Sequence, residues 1–96
     1  MTPEGKVKAK VIKTLKAMGA YHCMPVTGGF GMSGVPDILI CLHGRFIAIE
    51  CKAGKGKVTA LQQSNLDAIQ RAGGVALVVT ELNADFVDEL ILEAIK

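Results

Sequence analysis

The stretch that decides the fold is Gly34-Val35-Pro36-Asp37-Ile38-Leu39-Ile40-Cys41-Leu42-His43-Gly44-Arg45-Phe46-Ile47-Ala48-Ile49-Glu50-Cys51-Lys52. It reads as two apolar runs joined by His43-Gly44, a two-residue hairpin turn. That turn pairs Leu42 with Arg45, Ile40 with Ile47 and Asp37 with Glu50, giving strands over 37–42 and 45–52. Side chains alternate, so Asp37, Leu39, Cys41, Phe46, Ala48, Glu50 and Lys52 share one face. Ile38, Ile40, Leu42, Arg45, Ile47, Ile49 and Cys51 share the other. Both faces are largely apolar, which predicts strands covered on both sides. Three charges nevertheless sit at the open end, two of them acids directly opposed, and like charges across strands are destabilising.

Something must offset that acid pair. A divalent cation is the most direct candidate; Lys52 alone, or a longer turn that shifts the register, are the other readings. Asp37 and Glu50 with a strand carbonyl make a hard oxygen site suited to Mg²⁺ or Mn²⁺. Such a cation polarises a phosphoryl oxygen and lowers the pKa of bound water. Lys52, on the same face, can orient that water or stabilise charge on phosphorus. These parts suit hydrolysis of a phosphodiester.

Outward from the hairpin, Thr2 and Pro3 open an amphipathic helix along Val7, Val11, Leu15 and Met18 that stops at Gly19. Glu4 heads its apolar stripe, either as a first-turn dipole partner or as a site residue. Tyr21 to Val26 reads as a strand, and Thr27 to Ser33 as a loop that is either a mobile cover or a plain connector. Gly29-x-Gly31-x-x-Gly34 matches a dinucleotide fingerprint only as a pattern, because a strand and not a helix follows it. After the basic loop Ala53 to Val58, Thr59-x-x-Gln62 has the capping-box form. Gln62 also heads the sheet-facing stripe Gln62, Leu66, Ile69, Gly73, so cap and site roles are both open. Gly73-Gly74 ends this helix. Val75 to Thr80 reads as a buried strand, and Asn83 as the cap of a last helix carrying Phe86, Val87, Leu90, Ile91, Ala94 and Ile95. The order αβββαβα predicts an α/β fold of one domain over residues 1–96, with a mixed central sheet flanked by helices.

The chain has 96 residues and a net charge of +2, with mean hydropathy +0.38. Its apolar runs fall far short of the roughly 20 residues that span a bilayer, and Met1 to Lys6 lacks the apolar core of a signal peptide. An intracellular protein is expected, in the cytoplasm of a bacterial or phage-infected cell. Cys23, Cys41 and Cys51 have neither disulfide nor zinc spacing and read as buried small hydrophobes. Charge is uneven: lysines crowd the first helix and the loop after the hairpin, while the last quarter is acidic. That asymmetry suits binding a polyanion, with Lys6, Lys10, Lys13, Lys55 and Lys57 as candidate contacts to its charges.

Pro36-Asp37 followed by Glu50-x-Lys52 resembles the PD-(D/E)xK nuclease motif. With Gly34-Val35, Thr59-x-x-Gln62, Gly73-Gly74 before a strand, and Glu4 on the first helix, the chain resembles the VRR-NUC (virus-type replication-repair nuclease) family in its stand-alone form. That resemblance implies a restriction-endonuclease-like core in which Asp37, Glu50 and the Cys51 carbonyl hold the metal and Lys52 assists the attacking water. Gln62 would position Lys52 or the water, and Glu4 would act through a water or a second metal. It also implies a homodimeric endonuclease for branched DNA such as Holliday junctions, in DNA repair. A two-fold dimer supplies the paired cuts that a junction needs. The alternative is a non-catalytic nucleic-acid-binding or scaffold domain. Cys51 stands where an aliphatic residue or Thr is more usual, which would add sensitivity to oxidation.

Overall fold

The computed structural model describes residues 1–26 and 31–96. Its elements are α1 (Pro3–Met18), β1 (Tyr21–Cys23), β2 (Ile38–Leu42), β3 (Arg45–Cys51), α2 (Ala60–Arg71), β4 (Val75–Val79) and, after a 3₁₀ turn at Ala84–Phe86, α3 (Val87–Ala94). The sheet runs β1-β2-β3-β4. Its first two pairings are antiparallel and β3–β4 is parallel, the mixed α/β fold expected. Of the Thr27–Ser33 loop, Thr27 to Phe30 lie outside the described residues. Among the described residues no helix is long and apolar enough to cross a membrane.

The hairpin register is the one the two-residue turn demands: Ile38 faces Ile49, Ile40 faces Ile47 and Leu42 faces Arg45. His43 and Gly44 have φ of 52° and 74°, the double positive φ of a type I′ turn. The strands are one residue shorter at the acid end than predicted. The Cys51 N–H, which would extend the ladder, instead donates to Asp37 Oδ2 at 2.8 Å, and the Lys52 N–H donates to the Val79 carbonyl at 2.9 Å.

One sheet face is closed. Val7, Val11 and Leu15 of α1, with Ala84, Val87 and Ile91, pack on Ile38, Ile40, Leu42, Ile47, Ile49, Cys51 and Val79. Burying each large aliphatic side chain contributes about 2 kcal/mol, so this face anchors the hairpin. The other face is only half closed, contrary to the expectation of cover on both sides. α2 follows β3 and packs against β4, leaving Tyr21, Cys23, Cys41 and Phe46 exposed on the β1–β2 side. Of the cysteines only Cys51 is buried.

Other expectations change at element ends. β1 stops at Cys23, since Pro25 has no N–H for a ladder. β4 is an edge strand rather than a buried one, with Val78 36% exposed. Asn83 does not cap the last helix: its Oδ1 accepts from the Thr80 N–H at 2.8 Å, and the 3₁₀ turn intervenes, leaving Phe86 exposed. The helix starts were legible. Thr2 Oγ1 accepts from the Gly5 N–H at 3.0 Å, and Gly19 closes α1 with φ of 73°.

Candidate active site

Three elements bring acids to the open end of the hairpin. β3 carries Glu50, the residue before β2 is Asp37, and the first turn of α1 carries Glu4. One carboxylate oxygen from each lies within 4.8 Å of the others. Asp37 is held by its bond from the Cys51 N–H, so the two acid-bearing strand ends are tied through the backbone. The approach to Asp37 is fixed from α2 as well. Asn65 Nδ2 donates to the Ser33 carbonyl at 3.2 Å. Gly34, at φ of 76°, comes so close to α2 that an added Cβ would meet Leu61 Cγ at 2.8 Å. The Gly34-Val35-Pro36-Asp37 word therefore depends on the helix opened by Thr59 and Gln62.

Glu50 is 2% exposed. Burial above all, then the nearby Asp37 carboxylate, pushes its pKa up to about 7 against the pull of Lys52. That shift corresponds to about 3 kcal/mol of unfavourable ionisation, less than two of the buried aliphatics beside it supply. The fold can therefore hold an ill-placed acid. Lys52 Nζ lies 3.3 Å from Glu50 Oε2 and 3.8 Å from Glu4 Oε1, and its side chain is 13% exposed. Both partners fix the ammonium among the acids. The loop after Lys52 is anchored by Glu81, whose carboxylate accepts from the Gly54 N–H at 3.0 and 3.3 Å.

The donors fit a hard divalent cation: three carboxylates converge, one of them buried, and no His or Cys joins the group among the described residues. Cys51 does not add a reactive thiol. Its side chain is fully buried, and burial first, then Asp37, pushes the pKa up to about 12, so the thiolate needed for oxidation is scarce.

Compared by sequence, the chain matches no family model and no curated protein. Compared by structure, it superposes on a VRR_NUC domain with a TM-score of 0.76 and 25% identity over 96% of this chain and 97% of that one. The chain has the VRR-NUC fold. A second VRR_NUC domain protein matches at 0.74 and 22% identity, over 98% and 88% of the two chains. Hjc of Archaeoglobus fulgidus, a Holliday junction resolvase from an archaeal hyperthermophile, matches at 0.58 and 18% identity, over 79% and 67%. The VRR-NUC likeness spans all the elements that build the acid cluster.

Of the residues singled out in the sequence, Glu4, Asp37, Glu50 and Lys52 are brought together. Gln62 is not seen to join them: its Oε1 accepts from the Thr59 N–H at 3.0 Å, and its own N–H donates to Thr59 Oγ1 at 3.1 Å, completing the capping box. Lys6, Lys13, Lys55 and Lys57 are exposed, whereas Lys10 is paired to Asp85 at 2.8 Å. Arg45 lies at the turn end of the hairpin and donates to the Ile95 carbonyl, away from the acids. Two participants were missed. Lys8 Nζ lies 3.6 Å from Asp37 Oδ1, and Glu81 anchors the basic loop. The i, i+4 spacing from Glu4 to Lys8 was the available signal for the first; Glu81 is remote in sequence and left none.

Proposed function

We propose that the chain is a single-domain, metal-dependent DNA endonuclease over residues 1–96, acting as a homodimer on branched DNA such as Holliday junctions. The observation that carries this reading is the convergence of Glu4, Asp37 and Glu50 around a nearly buried Lys52. A binding-only domain gains nothing from setting three carboxylates where phosphate must approach.

In this reading Asp37, Glu50 and the Cys51 carbonyl hold Mg²⁺ or Mn²⁺, with Glu4 contributing through a water or a second ion. The cation's part is to polarise a phosphoryl oxygen and acidify a bound water. Lys52, fixed by Glu50 and Glu4, orients the attacking water through Nζ and offsets charge gathering on phosphorus. Exposed Lys6, Lys13, Lys55 and Lys57 hold flanking phosphates; Lys10 does so only on leaving Asp85. Holliday junction resolution by the structural neighbour supports a branched substrate. The open apolar face at Tyr21, Cys23, Cys41 and Phe46 supports pairing of two copies.

The test is cleavage of end-labelled four-way junctions and matched duplexes in Mg²⁺ or Mn²⁺. The junction should be cut in a metal-dependent way, and Lys52→Ala should abolish cutting while leaving the fold intact by circular dichroism. Absence of cleavage, or full activity of the variant, defeats the reading. Light scattering of the free protein tests the dimer separately.

A further inference from the structure

Lys8 differs from the other lysines of α1. Its side chain is 34% exposed and sits against Asp37 Oδ1 at 3.6 Å, too long for a hydrogen bond. Asp37 Oδ2 accepts from the Cys51 N–H, so Oδ1 is the oxygen free of a backbone bond, and Lys8 stands beside it. The charge balance of the cluster makes the same point. Glu4, Asp37 and Glu50 are opposed by Lys52, which lies between Glu4 and Glu50, and by Lys8, which serves Asp37.

Lys8 also lines a groove of about 410 Å³ along α1, with Lys13 and Lys16 beside it and Ala9, Ile12 and Met24 as apolar wall. No carboxylate is among its described lining residues. The opposite flank of the helix is different: there Lys6 and Lys10 share a cavity with Glu81, and Lys10 is bonded to Asp85. The groove thus joins Lys8, beside the acid cluster, to Lys13 and Lys16 with no acid on its described wall, and its charge suits a chain of phosphates.

We propose that Lys8 is an exchangeable counter-ion: in the free protein it neutralises Asp37, and with a divalent cation among the acids it turns into the α1 groove and holds a phosphate of the bound strand. The long, flexible stem of lysine permits that swing. The proposal rests on the nuclease reading above and adds to it the path of the strand, along Lys8, Lys13 and Lys16.

Calorimetric titration of Mn²⁺ into the wild type, Lys8→Met, Lys8→Gln and Lys16→Met, with steady-state cleavage of a labelled junction, tests it. Both Lys8 variants should bind Mn²⁺ about fivefold more tightly, since a competing charge is gone. Their KM for DNA should rise about tenfold with kcat within about twofold, and the salt slope of DNA binding should fall by about 0.9. Lys16→Met should raise KM and leave Mn²⁺ affinity unchanged. Lys8 variants that match the wild type in Mn²⁺ affinity, or bind it more weakly, overturn the proposal while a cutting wild type leaves the nuclease reading standing. A wild type that neither takes up Mn²⁺ nor cuts DNA brings down both. Lys8→Gln keeps the test open should Lys8→Met fail to fold.

Discussion

At its turn end the β2–β3 hairpin closes through His43 and Gly44, both at positive φ, and Arg45 reaches across to the Ile95 carbonyl. At its open end the same two strands carry Asp37 and Glu50, one tied to backbone and the other buried and hard to ionise. The turn end obeys local rules of twist and hydrogen bonding. The acid end violates them, and the violation persists because the aliphatic strip between the ends is fully buried. Stability is made along the hairpin, and the local conflict is confined to one end of it.

The two ends should therefore respond differently to substitution. Asp37→Ala removes a carboxylate of the cluster and the bond from Cys51, and cleavage should fall at least about a hundredfold, the scale for loss of a group that positions transition-state charge. Arg45→Ala at the turn end should leave initial rates within about twofold. Equal losses at both ends, measured on one labelled junction, would show that the activity tracks general stability and not the acids.

The next effect is on stability and has a sign set by Glu50. Its pKa of about 7 in the folded protein lies above the ordinary carboxylate value of 4.5, so the fold retains a proton that the unfolded chain has lost. The stability this contributes is present below about pH 4.5, is lost as pH rises toward 7, and stays lost above. In metal-free buffer Glu50→Gln should thus melt higher than the wild type at pH 8 by roughly 1–3 kcal/mol, or about 5–15 °C. The gap should close toward pH 5. Adding Mn²⁺ should raise the wild-type Tm more at pH 8 than at pH 5.5, where a proton on Glu50 competes, and should do little for the variant. A difference that does not vary with pH would mean that Glu50 stays ionised, with Lys52 its sufficient partner.

A smaller effect belongs to the turn. Gly44→Val places a β-branched residue at φ of 74°, which costs about 1–2 kcal/mol. Denaturant melts should show that loss, while Mn²⁺ affinity per folded molecule stays at the wild-type value, because the register is also held by the buried strip.

The same contrast explains what could be read from the sequence. Alternation along Ile38 to Leu42 and Arg45 to Cys51, with a two-residue turn between, fixed the register and so the meeting of Asp37 with Glu50. Capping residues Thr2 and Thr59 marked the helix starts. Less legible were matters settled by packing between distant elements. The open half of the sheet depends on where α2 lies, which no periodicity encodes, and so Cys23 and Cys41 read as buried when they are not. Asn83 had the chemistry of a helix cap, but its side chain accepts from Thr80 three residues back, a local competitor with the same hydrogen-bond geometry. Lys8 was hidden among lysines of one helix: its i, i+4 spacing from Glu4 is the one mark the sequence carries, and the path of α1 over the sheet end is what sets it beside Asp37.

Gln62 sets the finest contrast between local structure and site. Its sequence position suited a helix cap and a site residue alike, and the structure commits Oε1 to the Thr59 amide. Gln62→Ala should cost about 1 kcal/mol by melting, the usual worth of a capping partner, with cleavage kept within about threefold. Gln62→Glu retains the accepting oxygen and should recover the stability. Its effect on cleavage then isolates Nε2, the one donor group the cap leaves unused. If Gln62→Glu melts like the wild type yet cuts tenfold more slowly, that amide nitrogen acts at the cluster, and the start of α2 belongs to the acid end of the hairpin as well as to its scaffold.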